Sequence, residues 1–146
     1  MHFSLVDRIV ESSPDHAITL KAVSAAEEYL QDHFPTFPVL PGVMMLEAIV
    51  QAGALVAAAR HGEGPWVLGQ VRALKYGRFV KPGSVLRVQV TAAAPPTTDT
   101  SHDQQTVDAK GEARLMEPQP DGSLLDAGVA CSGRILLRRP RIQTYG

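Results

Sequence analysis

The sequence predicts an α+β fold in which an antiparallel sheet wraps around one long central helix. Three observations lead there. A proline-free apolar stretch, Gly42 to Arg60, is long enough for five turns of helix. An alternating segment, His16 to Val23, precedes it as a strand would. Four Val-, Leu- and Thr-rich segments follow it, separated by turn residues. A strand, a buried helix and a run of strands make an α+β arrangement, not alternating βαβ units.

Taken in order, Phe3 to Arg8 reads as a short helix, and Ser12-Ser13-Pro14-Asp15 as a turn. In the strand His16 to Val23, Ile18, Leu20 and Ala22 share one side and form its expected apolar face. Ala25 to Asp32 suggests a helical turn. Prolines 35, 38 and 41 then impose a stiff extended loop, because each removes an N–H and restricts its predecessor. The helix Gly42 to Arg60 is rich in Ala and Leu and ends at His61-Gly62. Met44, Met45, Leu46, Ile49, Val50, Leu55 and Val56 cover its whole circumference, so burial on all sides is expected. The later strands are Trp66 to Tyr76, Ser84 to Ala94, Gln105 to Glu117 and Leu124 to Leu137. Lys81-Pro82-Gly83, Pro95 to Asp103 and Asp121-Gly122 separate them. A membrane span over residues 43–59 is the rival reading. Glu47 and Gln51 inside the run, and its length at the lower limit for a span, argue against it.

The 146 residues suggest a single domain, 1–146, with enough core to need neither disulfide nor metal. Its one cysteine, Cys131, excludes an internal disulfide and a multi-cysteine zinc site, and reads as a buried thiol. The start of the chain lacks a basic segment followed by a long apolar run, so no secretory leader is expected and a cytoplasmic setting is the default. A net charge of -1 gives no sign of wholesale nucleic-acid binding. Nine of the fourteen basic residues nevertheless fall in two acid-free segments, Pro65 to Thr98 and Arg134 onward. They form either a solvated strand face or a patch suited to an acidic partner.

Glu47 is the only charge between Val43 and Ala59. A carboxyl group enclosed among apolar residues either finds a partner or is held protonated, and a protonated carboxyl can serve as a general acid. Gln51 lies four residues on and can hydrogen-bond to it. A structural Glu–Gln pair without chemistry is the plain alternative. His33 precedes the proline-rich loop; a histidine beside phenylalanine and proline is more often a satisfied structural residue, but its pKa near 6.5 suits a general base. The loop delivers the chain to Gly42, where the first helical N–H groups lack acceptors. Base, acid and oxyanion donors around one helix start suit proton removal beside a carbonyl, followed by loss of a β-hydroxyl.

The stretch HFPTFPVLPGVMMLEAIVQAGAL resembles the signature of the β-hydroxyacyl-acyl carrier protein dehydratases of fatty-acid synthesis. His33, Phe34, Pro35, Pro38, Pro41, Gly42, Val43, Glu47, Ala48 and Gln51 match it at the family's spacing. Weaker likeness covers LVDRI at Leu5 to Ile9 and RFVKPG at Arg78 to Gly83. The resemblance implies a hot-dog fold and a homodimer with shared active sites, often assembled as a trimer of dimers. It implies His33 as base at C2 and Glu47 as acid from the other subunit. Gln51 would orient Glu47, and the Gly42 amide would hold the thioester carbonyl. Phe34, Pro41 and Val43 would contact substrate. Acyl carrier protein would be the partner, docking near Arg78 and Lys81 and presenting substrate on its phosphopantetheine arm, so no metal or redox cofactor is called for. Thr36 and Phe37 depart from the family's pattern after H-F-P, which bears on the tunnel mouth and the substrate. Glutamate at position 47, where the isomerising branch has aspartate, favours plain dehydration. A non-catalytic acyl-binding module and a thioesterase of the same fold are the competing readings.

Overall fold

The computed structural model describes residues 4–24, 39–95 and 105–141. Its elements are β1 (Arg8–Ser12), β2 (His16–Ala22), α1 (Gly42–His61), β3 (Val67–Tyr76), β4 (Val85–Ala92), β5 (Thr106–Pro118) and β6 (Leu124–Arg138). Six strands form one sheet in the order β1-β2-β4-β5-β6-β3, every neighbouring pair antiparallel. The fold class expected from sequence is the one observed.

The first element differs from its reading. Ser4 to Asp7 are not helical, and Arg8–Ser12 joins the sheet as an edge strand. The turn expected at Ser12 to Asp15 closes the β1–β2 hairpin: Ser13 N–H donates to the His16 carbonyl (2.9 Å), and the Ser13 hydroxyl accepts from the Asp15 and His16 amides. Pairing with β2 satisfies backbone groups that a short isolated helix would leave to water. The phase of β2 is also reversed. Ala17, Thr19 and Lys21 face inward, because Ala17 pairs with Val90 and Thr19 with Val88, both core residues of β4. Ile18 pairs with exposed Gln89, so Ile18 and Leu20 lie on the face away from the α1 core, where Ile18 is itself buried and Leu20 half-buried. One residue of register decides which face a strand buries, and β4 sets it here. The predicted helical turn at Ala25 to Asp32 lies outside the described residues.

Helix α1 starts at Gly42, as read, and ends one residue later, at His61. Gly62 stops it with φ 102°, its N–H donating to the Ala58 carbonyl at 2.8 Å. Burial on every side is not what the chain shows. Met45, Ala48, Ile49, Val50, Ala52, Gly53, Val56 and Ala57 are buried against the sheet. On the opposite stripe Met44, Leu46 and Leu55 are half-buried, and Val43 is 65% exposed. Its mean hydropathy of 1.8 would suit a membrane span, but the helix packs in the curve of β2, β4, β5 and β6 as their core. Close approach depends on Gly111 of β5: a Cβ there would stand 2.3 Å from Ile49 Cγ2.

From the C-terminus of α1 the chain enters β3 at the far edge, beside β6, and must then cross to β4 near the other side. The crossing segment, residues 77–84, runs past the helix N-terminus. The Leu40 N–H donates to the Val80 carbonyl (2.7 Å), Gly83 N–H to Val23 (2.8 Å) and Val23 N–H to Ser84 (2.9 Å). Val80 is wholly buried beneath it. This crossover brings β3's end and the basic residues after it beside the start of α1.

Candidate active site

Pro41, with φ -59° and ψ 142°, stands at the N-cap, and no side chain caps the helix. Its carbonyl accepts from Met44 (3.0 Å) and Met45 (3.3 Å), which leaves the Gly42 and Val43 amides ahead of the intrahelical ladder. These amides sit at the positive end of the helix dipole. Beside them opens a groove of about 400 Å³, lined by Val39, Leu40, Gly42, Val43, Met45 and the segment Tyr76 to Phe79. The groove is mainly apolar. Gly42 is required by its wall: a Cβ at that position would meet the Tyr76 ring at 2.7 Å. Burial raises the Tyr76 phenol above its usual range, with Cys131, its partner across the β3–β6 pair, adding to the shift.

Glu47 lies four residues beyond Val43, on the same stripe of the helix. It is half-buried, not enclosed among apolar residues as the sequence suggested. Gln51 Nε2 donates to Glu47 Oε1 at 3.3 Å, and Gln51 Oε1 accepts the Leu5 N–H at 2.7 Å. The Gln51 amide therefore has its orientation fixed by the backbone at Leu5 and turns its donor end toward the carboxylate. The expected Glu47–Gln51 pair is present, with a third member that the sequence did not indicate.

Of the residues read from sequence, Gly42, Val43 and Arg78 line the groove, and Pro41 begins its helix. Lys81 borders an adjoining hollow of about 410 Å³, which shares Gly77, Arg78 and Phe79 with the groove. His33 and Phe34 lie outside the described residues, as do Thr36 and Phe37. Sequence reasoning missed Tyr76 and Phe79, which are 53% and 67% exposed at the groove. A glycine opening a helix after a proline is a trace of Tyr76 alone, whose ring stands where its side chain would be; nothing local marks Phe79. No group of three or more potential metal ligands occurs among the described residues. Cys131 is wholly buried, and burial lifts its thiol pKa to about 11.

Comparison with known proteins gives these features a family. The model of the FabA-like domain matches residues 1–113. A 3-hydroxyacyl-[acyl-carrier-protein] dehydratase FabZ of Chloroflexus aggregans is 43% identical over 91 residues, covering 60% of this chain and 63% of the relative. The FabZ of Clostridium perfringens strain SM101 is 28% identical over 137 residues, covering 92% of this chain and 86% of the relative. In the first of these, as in the FabZ proteins of Pseudothermotoga lettingae and Natranaerobius thermophilus, the match spans about three fifths of the relative's length. Among solved structures, the dehydratase heterocomplex ApeI:P from Xenorhabdus doucetiae superposes with a TM-score of 0.68 at 19% identity, over 94% of this chain and 84% of that one. The TT0310 protein from Thermus thermophilus gives 0.59 at 17% identity, over 91% of each chain. These likenesses establish the shape, and the sequence match establishes the lineage: the chain has a hot-dog fold and belongs to the FabA-like domain family.

Proposed function

We propose that the protein dehydrates (3R)-3-hydroxyacyl groups on acyl carrier protein to trans-2-enoyl groups, in fatty-acid or related lipid synthesis. The observation that carries this reading is the Glu47–Gln51 pair, placed one turn along α1 from the Gly42 and Val43 amides at its start, in a chain of this family. His33 removes a proton from C2. The thioester oxygen accepts from the Gly42 N–H as enolate character develops. Glu47 supplies a proton to the C3 hydroxyl, which departs as water while the C2–C3 double bond forms. Gln51 orients Glu47. Phe34, Pro41 and Val43 contact the acyl-pantetheine chain, and Arg78 and Lys81 meet the acidic carrier surface. The acid and base perform the whole reaction, so it calls for no metal or redox cofactor. In this reading residues 1–146 form one cytoplasmic unit. It acts as a homodimer, alone or as a trimer of dimers, with His33 of one subunit facing Glu47 of the other.

The test is hydration of a crotonyl thioester, the reverse reaction. We expect loss of enoyl absorbance without release of free thiol. His33→Ala and Glu47→Gln should each lower the rate by about 10²- to 10⁴-fold, the range for a general acid or base, while circular dichroism stays unchanged. Thiol release would assign a thioesterase. Acyl binding without turnover would assign a non-catalytic module. Near-full rates in either variant would overturn the roles given to these residues.

A further inference from the structure

The two basic segments of the sequence meet in the fold on the sheet face opposite α1. β3 pairs with β6, and β6 with β5, so that Arg72, Arg134 and Lys110 stand on one rung across three strands. Three cations side by side on a sheet repel one another. Asp108 answers only part of this charge: its oxygens lie 3.5 Å from both Arg72 Nη2 and Arg134 Nη1. Lys75, opposite Ser132 two residues along β6, adds a fourth cation; Glu112 closes that rung on β5, but its carboxylate is paired with Arg114 and does not line the hollow around Ala73.

A local irregularity puts Lys75 there. Residues three apart on a regular strand point to opposite faces. Between Arg72 and Lys75 the β3 register shifts against β6, and Ala73 adopts φ 52°. The extra residue lets Leu74 pack against the core while Arg72 and Lys75 both remain exposed. A positive φ is unfavourable for alanine, so the chain holds a strained backbone at the point that gathers like charges. Around it lies a hollow of about 310 Å³, lined by Ala73, Lys75, Lys110, Ser132, Gly133 and Arg134.

We propose that this outer-face hollow binds a phosphate group. Lys75 and Lys110 supply point charges, Arg134 supplies guanidinium donors beyond the one nearest Asp108, and the Ser132 hydroxyl supplies a neutral donor. A compact polyanion relieves the repulsion along the rung. The volume accommodates a phosphate or diphosphate with part of an attached chain. The site lies across the sheet from the groove and does not rest on the dehydratase reading. Two sources offer this chemistry: free phosphate, and the phosphoester of a pantetheine-type thioester carrier.

The experiment is a titration of the full chain with inorganic pyrophosphate at low ionic strength, followed by backbone amide shifts. We expect saturable shifts centred on Lys110 and Ser132 to Arg134. Affinity should fall at least tenfold in the Lys75→Gln/Lys110→Gln double variant. It should be unchanged in Arg8→Gln, which removes a charge at the far edge of the sheet. Shifts that grow without saturating, or that weaken equally in Arg8→Gln, would show general charge screening and overturn the proposal. Inorganic phosphate, 4′-phosphopantetheine and pantetheine, added as competitors, separate the sources. Displacement by phosphopantetheine at lower concentration than inorganic phosphate assigns the site to a thioester carrier's phosphate, equal displacement by the two assigns it to free phosphate, and displacement by pantetheine, which has no phosphate, overturns the proposal.

Discussion

At the scale of single residues, the site is governed by contacts too short to tolerate one extra carbon. The Tyr76 ring fills the space that a side chain at Gly42 would take, so Gly42→Ala forces the ring aside. Tyr76 is half exposed and can move, so stability should change little. The groove should suffer: we expect kcat/KM for the proposed reaction to fall about tenfold, equivalent to about 1.4 kcal/mol. Tyr76→Ala in the same chain should recover most of the loss, and a double-mutant cycle measures that coupling. Cys131 gives a second residue-scale test. Its thiol is buried and its pKa raised to about 11, so little thiolate exists near neutrality. The folded protein should not react with a disulfide reagent at pH 8 over minutes, and unfolding in denaturant should release one reactive equivalent. Fast labelling of the native chain would contradict the packing described around it. Glu47 and Gln51 were legible as a pair because helical spacing alone brings them together. The Leu5 amide that fixes Gln51 was not, because it comes from 46 residues away in the chain.

At the scale of elements, the helix and sheet are held at a distance that Gly111 sets. A side chain there collides with Ile49 Cγ2 at the centre of the interface. Gly111→Val should destabilise by about 1–3 kcal/mol, the usual effect of overpacking a dense core, read from the midpoint of urea unfolding. A variant as stable as the parent would mean that the helix can shift on the sheet. The end of α1 is secured differently. The Arg139 guanidinium is buried and donates to the carbonyls of Gly62 (3.2 Å), Glu63 (3.3 Å) and Pro65 (3.4 Å), while lying 4.0 Å over the Trp66 ring. The loop after the helix thus closes around a cation just past the end of the last strand, a contact across more than seventy residues. Most element boundaries could be read because apolar periodicity and Gly or Pro punctuation mark them. β1 could not: its residues, RIVES, are all exposed, so no burial pattern distinguished strand from helix.

At the scale of the whole molecule, His61 links stability to pH. Burial lowers its pKa below 6.5, and the neighbouring Arg60 and Arg139 charges lower it further, against a hydrogen bond at Thr106 that raises it. The unfolded chain therefore binds a proton more readily than the folded one. Its contribution to stability is complete above pH 6.5 and is lost as pH falls below that value toward the folded pKa. Thermal melts from about pH 7.5 to 5 should show a declining midpoint, and His61→Asn should flatten that decline. An unchanged slope in the variant would assign the dependence to other groups. Composition and local pattern determined by themselves the apolar helix α1 and its start at Gly42, an antiparallel sheet, and the Glu47–Gln51 pair. Each of these follows from repeats of two or 3.6 residues, which act over a few residues of chain. Only the tertiary structure decided that β3 lies at the edge beside β6, that Tyr76 faces Gly42, which side of β2 is buried, and that two distant basic segments share a rung. Those outcomes depend on register between strands far apart in sequence, where a slip of one residue reverses every side chain, and no local pattern encodes that choice.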